Sequence, residues 1–331
     1  MAVLVSGGAG YIGSHTALEL MQQGREVIYF DNLQKGHKRA VLGDKFYIAD
    51  LRDQEALEKV FQENEIEAVV QFAADSLVGE SVTVPFKYYN NNVISTLRLL
   101  ETMVKYDVKK IVFSSTAATY GQPKRVPILE SDETLPTNPY GETKLAVERL
   151  LKWADNAYGI KYVALRYFNA AGADRSGRIG EDHSPESHLI PIILQAALGQ
   201  RDHVEIYGDD YDTPDGSCIR DYIHVTDLAN AHIRAIEKLE RDNTSAVYNL
   251  GNGKGFSVKE VIDVARKVTG VNIKADIAPR RAGDPAVLVA SSEKAKKELG
   301  WNPVYGDLET IIETAWQWHK NNPEGFKDSN I

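Results

Sequence analysis

The sequence predicts a doubly wound α/β fold, a parallel sheet with helices on both faces, joined to a smaller C-terminal α/β domain. Three observations predict it. Apolar runs of strand length alternate with helical patterns as far as about residue 166, the order expected of a parallel sheet. A glycine-containing turn links the first run to the first helix. Beyond about residue 170 the texture changes: Gly172–Ser187 is polar and glycine-containing, Gly208–Gly216 is rich in aspartate, and Pro279–Pro285 is basic and then turn-like.

The first strand is Ala2-Val3-Leu4-Val5, and the helical pattern after its turn runs through Leu18, Leu20 and Met21. Further strands are expected at Val27-Ile28-Tyr29-Phe30, Phe46-Tyr47-Ile48, Ala68-Val69-Val70-Gln71-Phe72, Lys110-Ile111-Val112-Phe113 and Tyr162-Val163-Ala164-Leu165. A long helical segment near Val93–Lys105 separates the fourth run from the fifth. Asn138 can cap the next helix, Pro139 suits its first turn, and Val147, Leu150, Leu151 and Ala154 form its apolar stripe. Tyr222-Ile223-His224-Val225 and Val247-Tyr248-Asn249-Leu250 read as strands that return to the sheet. The boundary is therefore interleaved. Residues 1–169, with segments near 220–232 and 247–251, form the sheet domain, and 170–331 form the second.

The turn Ser6-Gly7-Gly8-Ala9-Gly10-Tyr11-Ile12-Gly13 stands between strand and helix, the context of a dinucleotide fingerprint. Gly7 allows the tight turn, Gly10 lets backbone approach a pyrophosphate, and Gly13 lets helix and strand pack closely. Tyr11 and Ile12 open the helix, whose unpaired N–H groups favour negative charge. Asp31, followed by Asn32, ends the second run. A carboxylate there accepts from adenosine ribose hydroxyls and repels a 2′-phosphate, so NAD is expected over NADP. Asp50-Leu51 would bracket the adenine, and Phe72-Ala73 lies at a strand's carboxyl end, where ligands bind in such sheets.

Tyr140 and Lys144 lie four residues apart near the start of a helix, on one face. A free tyrosine, with a pKa near ~10, is ionised in about one molecule per thousand at neutral pH. A nearby cation favours the phenolate, and half-ionisation needs a shift of roughly 3 units, about 4 kcal/mol. Ser114-Ser115-Thr116 follows a buried strand, so the Thr116 hydroxyl can either cap the strand end or bond the reacting alcohol and the phenol. In the catalytic reading Tyr140 takes the alcohol proton while hydride leaves the carbon for the nicotinamide. Lys144 binds the nicotinamide ribose and keeps the tyrosine pKa low.

Composition bounds the alternatives. Of 331 residues, 43% are hydrophobic, enough for a sizeable core, and the net charge of −9 disfavours nonspecific binding to nucleic acid or anionic membranes. The single cysteine, Cys218, excludes an internal disulfide framework and fits a reducing compartment. The first strand begins at residue 2, leaving no room for a signal peptide, and no apolar run is long enough to span a bilayer, so a cytoplasmic protein is expected. The eight histidines show no metal-ligand spacing, and no metal is expected.

The motifs together resemble the extended short-chain dehydrogenase/reductase family, and within it the UDP-sugar 4-epimerases, over nearly the whole chain. The marks are the glycine turn with Ser14-His15, Val78-Gly79-Glu80-Ser81 and Tyr88-Tyr89-Asn90-Asn91-Asn92. They continue through Arg166-Tyr167-Phe168-Asn169, Arg220-Asp221-Tyr222-Ile223-His224-Val225-Thr226-Asp227-Leu228 and Pro279-Arg280-Arg281-Ala282-Gly283-Asp284. The glycine turn and Tyr-x-x-x-Lys mark only the superfamily, whereas the Arg220 motif and the Arg281/Asp284 pair are more selective for nucleotide-sugar enzymes. The resemblance implies a Rossmann-type sheet, a retained NAD and a UDP-sugar substrate. NAD would oxidise C4, the 4-keto sugar would turn about its diphosphate, and hydride return would invert C4, interconverting UDP-galactose and UDP-glucose. It further implies that Arg220 and Arg281 clamp the diphosphate and that Asp284 contacts the uridine ribose. Asn169 would meet the nucleotide sugar near its diphosphate, and Asn92 would lie on the nicotinamide side. A surface or domain-packing ion pair is the other reading of the two arginines, and turn or cap roles are that of the asparagines. A homodimer, paired through helices including Asn91–Tyr106 and Tyr140–Ala157, is also implied.

Three positions depart from the family pattern. Phe72-Ala73-Ala74-Asp75-Ser76 lacks the lysine common at Ser76, threonine replaces serine at 116, and Leu288 stands where a tyrosine is linked to excluding N-acetyl sugars. Leucine is intermediate in size, which leaves N-acetylated, uronic and pentose UDP-sugars open. A nucleotide-sugar 4,6-dehydratase commonly has Asp-Glu after the threonine, but Ala117-Ala118 cannot transfer a proton. A non-catalytic NAD-sensing protein would be expected to lose the tyrosine or lysine, and both are intact.

Overall fold

A computed structural model describes residues 1–281 and 284–327; Ala282 and Gly283 of the Pro279–Asp284 motif lie outside the described residues. The strands are β1 (Ala2–Ser6), β2 (Glu26–Asp31), β3 (Lys45–Ile48), β4 (Ile66–Gln71), β5 (Lys110–Ser114), β6 (Lys161–Arg166), β7 (Asn169–Ala171), β8 (Val204–Tyr207), β9 (Ile219–Arg220), β10 (Tyr222–His224), β11 (Ala246–Asn249), β12 (Phe256–Ser257), β13 (Ala275–Ala278) and β14 (Val287–Leu288). The α-helices are α1 (Tyr11–Gln22), α2 (Gln54–Glu63), α3 (Val78–Thr83), α4 (Pro85–Tyr88), α5 (Ser95–Lys105), α6 (Pro139–Tyr158), α7 (Leu189–Ala197), α8 (Val225–Asp242), α9 (Val258–Thr269), α10 (Glu293–Leu299) and α11 (Leu308–Asn321).

Seven strands form one parallel sheet in the order β11-β6-β5-β4-β1-β2-β3. Side chains alternate across it, as strand geometry requires. Val3, Val5, Val27, Tyr29, Val70, Val112 and Leu165 face α1, α8 and Trp301, whereas Leu4, Ile28, Phe30, Val69, Ile111 and Phe113 face α2, α5 and α6. Burial on both faces explains why these strands read as continuous apolar runs. A separate core of Ile193, Leu194, Val204, Ile206, Val261, Ile262, Ile311 and Ile312 joins α7, α9 and α11 to the small β8–β13 sheet.

The second returning strand takes its expected place: β11 is an edge of the seven-stranded sheet. The first does not. β10 pairs in parallel with β7, because β6 already has β5 on one side and β11 on the other. The helix that follows, α8, still packs on α1, β5 and β6. Helix α6 is specified as its sequence suggests, with Asn138 Oδ1 accepting from Gly141 N at 2.9 Å, proline in the first turn, and left-handed Gly159 (φ +70°) at the end. Among the described residues no helix is long and apolar enough to cross a membrane.

Candidate active site at the carboxyl ends of the strands

The glycine turn is closed backbone against backbone. Gly7 adopts φ +74°, and a Cβ there would stand 2.6 Å from the Ala73 nitrogen. That nitrogen donates to Ser6 O at 3.2 Å, drawing the ends of β1 and β4 together. A Cβ on Gly13 would overlap the Gly7 carbonyl oxygen, so the start of α1 can approach the turn only with glycine there. Helix α1 has Gly10 as its N-cap, no side-chain cap and no acidic residue in its first turn. The N–H groups of Tyr11, Ile12 and Gly13 therefore keep the polarity that suits a pyrophosphate.

Asp31 ends β2 beside this turn. Its carboxylate accepts from Ala9 N at 3.0 Å and Leu33 N at 2.8 Å, while burial raises its pKa. Asn32 and Asp50 meet, Nδ2 to Oδ2 at 2.9 Å. Hydrogen bonds from the Arg52 guanidinium to the same carboxylate hold Asp50 well below the usual range. Leu51 turns into the core, and the Phe72 ring packs 4.6 Å from that of His232. A glycine turn, an uncapped helix end and a carboxylate at the end of β2 fit an adenine dinucleotide.

Thr116, Tyr140 and Lys144 converge beyond β5. Lys144 is buried; its Nζ donates to Ser114 O at 2.9 Å and stands 6.0 Å from the Tyr140 ring centre. Thr116 Oγ1 accepts from Ala118 N at 3.1 Å, capping the 3-10 turn Ala117–Tyr120, and lies beside the Tyr140 phenol. The one side chain thus caps the turn and also meets the phenol. The electrostatics depart from expectation. Burial pushes Tyr140 up to about 12, with Thr116 pulling the other way, and burial pushes Lys144 down to about 7. Desolvation favours the neutral form of each group, so the lysine does not by itself keep the phenol low.

The Asn92 amide is engaged by protein partners. Its Oδ1 accepts from Asp75 N at 2.8 Å, and its Nδ2 donates to Asp75 O and Thr143 Oγ1, each at 3.0 Å. The amide ties the loop after β4 to α6 one residue before Lys144, which makes Asn92 a positioning residue.

The opposite wall comes from the second half of the chain. Asn169 Nδ2 donates to Asp221 O at 2.9 Å. Arg220 Nη2 donates to Asp284 Oδ1 at 2.5 Å, so the two residues expected to take diphosphate and ribose here hold each other. The Arg281 guanidinium stacks 3.9 Å over the Tyr207 ring. Leu288 is paired in register with Arg220 and packs, with Phe168, on Ala117, Tyr120 and Ile128. It therefore forms a wall one residue from Thr116. Behind Arg220, Asp221 accepts from Asn252 N at 2.6 Å and Ala290 N at 3.2 Å, and burial raises it to about 6.

Sequence reasoning missed a buried network under the site. Arg166 forms a two-pronged pair with Glu148 (Nε–Oε1 2.9 Å, Nη2–Oε2 2.5 Å) and donates to Tyr120 OH at 2.8 Å. Tyr120 OH donates to Asn249 Oδ1 at 2.7 Å, and Ser115 Oγ donates to Glu148 Oε1 at 2.5 Å. These bonds lock α6, one turn beyond Lys144, to β5, β6 and β11. A glutamate interrupting the apolar stripe of α6, four residues past the lysine, was the available signal. The histidine spacing also does not by itself bring ligating groups together, yet the fold gathers Glu181, His183, Glu186 and His188 beside Tyr11.

With this geometry in view, known proteins can be compared. Residues 3–251 match the NAD dependent epimerase/dehydratase family. The chain is 65% identical over 330 residues to a UDP-glucose 4-epimerase of Halalkalibacterium halodurans, covering 100% of this chain and 99% of that protein. A crystal structure of a UDP-glucose 4-epimerase superposes with a TM-score of 0.98 at 56% identity, covering 99% of this chain and 100% of that one. Another, from Bifidobacterium longum in complex with NAD+ and UDP, superposes with a TM-score of 0.93 at 44% identity, covering 98% of this chain and 100% of that one. The chain belongs to the NAD dependent epimerase/dehydratase family.

Proposed function

We propose that the protein acts as a UDP-glucose 4-epimerase, interconverting UDP-galactose and UDP-glucose. The observation that carries this reading is the convergence of Thr116, Tyr140 and Lys144 beyond β5, next to a glycine turn built for a dinucleotide. NAD, when bound, accepts the C4 hydride of the sugar and gives it back. Gly7, Gly10, Tyr11, Ile12, Gly13, Asp31, Asn32, Asp50, Phe72 and Ala73 would hold it, with Asn92 setting the wall. Tyr140 takes the proton of the C4 hydroxyl and returns it to the same oxygen once the keto sugar has turned, and Thr116 orients that oxygen. A protonated Lys144 stabilises the phenolate. On the other wall Arg220 and Arg281 would release Asp284 and Tyr207 to clamp the diphosphate, for which their planar forks are suited. Asn169 and Asp284 would hold the nucleotide, and Leu288 would bound the sugar. The alanines after Thr116 support epimerisation over dehydration.

The same reading divides the chain into an NAD-binding unit and a UDP-sugar unit with an interleaved boundary. It includes a cytoplasmic homodimer, supported by the buried free thiol of Cys218 and by exposed Phe86 and Trp153, 86% and 69% accessible. The test uses purified protein with UDP-galactose and no added cofactor, followed by NMR. Conversion to an equilibrium mixture with UDP-glucose is expected. If none occurs even after NAD is added, the hexose assignment is wrong.

A further inference from the structure

The segment Glu181–His188, just before α7, brings two carboxylates and two imidazoles together. One ligand atom from each lies within 4.8 Å of the others. Nitrogen and oxygen alternate around a ring. His183 Nδ1 is 3.2 Å from Glu181 Oε1 and 3.7 Å from Glu186 Oε2, while His188 Nδ1 is 3.1 Å from Glu181 Oε1 and 2.9 Å from Glu186 Oε1. Four such ligands held about 2.0–2.2 Å from a tetrahedral ion stand about 3.3–3.6 Å apart; the neighbouring nitrogen–oxygen pairs are near that spacing, and the pairs across the ring, within 4.8 Å, would draw in as the ion binds.

A second observation is independent of the clustering. His183 Nδ1 is closed to solvent and completes no hydrogen bond, although both carboxylates lie within ion-pair distance. Glu181 is buried as well, and a buried carboxylate is costly unless it is paired, hydrogen-bonded or bound to a metal. The ion pairs of Glu181 and Glu186 are with these imidazoles.

We propose that Glu181, His183, Glu186 and His188 bind one divalent transition-metal ion of the zinc class. Imidazole and carboxylate together suit such an ion, and a full set of four protein ligands makes the site structural. The His183 and His188 side chains, 28% and 40% exposed, leave the ion a path inward. Its effect would be to fasten the loop to the cofactor turn. The His183 ring stands 6.1 Å from that of Tyr11, whose hydroxyl donates to Gly172 O at 2.6 Å. The rival occupant of this geometry is a proton on each imidazole, giving a closed ring of ion pairs.

The deciding experiment takes the untagged full chain, treats it with chelator, and titrates it with Co2+ and then Zn2+. One equivalent of Co2+ should bind with the intense visible absorption of a four-coordinate site, and one equivalent of Zn2+ should bleach it. Thermal stability should rise with Zn2+, because the ion binds only the folded chain. The double variant His183→Gln, His188→Gln should weaken Co2+ binding by at least about 100-fold. If folded wild-type protein develops no such band, or if the band survives in the double variant, the proposal is overturned and the ring is an ion-pair cluster. Should the double variant fail to fold, the wild-type spectrum decides alone.

Discussion

The two walls of the cleft are built on different principles. The cofactor wall is backbone: Gly7 against Ala73, Gly13 against the Gly7 carbonyl, and a helix start with no side-chain cap. The substrate wall is side chain: Arg220 on Asp284, Arg281 over Tyr207, and Arg280 on Asp210. The first wall is preorganised and tolerates no added atom. The second holds its charges in pairings that, on the proposed function, a ligand would exchange for its own. Mutations should therefore act on cofactor retention at one wall and on substrate affinity at the other.

The largest effect is expected where the walls meet. Tyr140→Phe should lower turnover about 10²–10⁴-fold while NAD still copurifies, as read by turnover assays and cofactor absorbance. Loss of NAD along with turnover would make Tyr140 a structural part of the cofactor wall. Next, Gly13→Ala forces a methyl onto the Gly7 carbonyl oxygen. Retained NAD should fall by at least about tenfold and Tm should drop, since overpacking costs about 1–3 kcal/mol. At the other wall, Arg220→Ala should raise KM about 10–100-fold with NAD content unchanged, because charge-assisted bonds contribute about 1.5–3 kcal/mol. If the two variants trade phenotypes, the division between walls fails.

A pH experiment tests the scaffold that joins them. Burial lowers His15 to about 4, His224 to about 3 and His232 to about 4. Each is neutral when folded but binds a proton near pH ~6.5 when unfolded, so stability is full above that pH and is lost as pH falls toward ~4. Asp221, raised to about 6 by burial, acts in the opposite sense between there and its unfolded value, as do Asp31 and Asp227, which burial also raises. Chemical denaturation at about pH 7 and pH 4.5 should show a loss of more than about 1 kcal/mol. His232→Gln should flatten the slope, and an unchanged slope would remove that histidine from the account. The smallest effect is expected at Leu288→Tyr, which should lower N-acetyl relative to plain sugar turnover by about tenfold. An unchanged ratio would mean that Leu288 does not gate the sugar.

The contrast between walls also explains what could be read before folding. Strands β1 to β6, the glycine turn and the capped start of α6 depend on neighbours within a few residues, so periodicity, glycine spacing and Asn138-Pro139 located them. The place of β10 was misread because it depends on β11, a strand from later in the chain that occupies the edge of β6. The partners of Asn92, Asp75 and Thr143, could not be read locally because they lie 17 and 51 residues away. The Glu148–Arg166–Tyr120–Asn249 network and the Glu181–His188 ring escaped for related reasons. The first unites four distant segments, and the second depends on how one irregular loop is folded.

Residue order alone was enough for the sheet, the glycine turn and the spacing of Tyr140 and Lys144 on α6, because strand period, helix period and glycine geometry are short-range properties of the chain. Tertiary structure decided the charge states and partnerships. Tyr140 and Lys144 are both driven toward neutrality by burial, and Arg220 is held by Asp284. Desolvation and ion pairing depend on every group that surrounds an atom in space, and those groups come together only when the chain has folded.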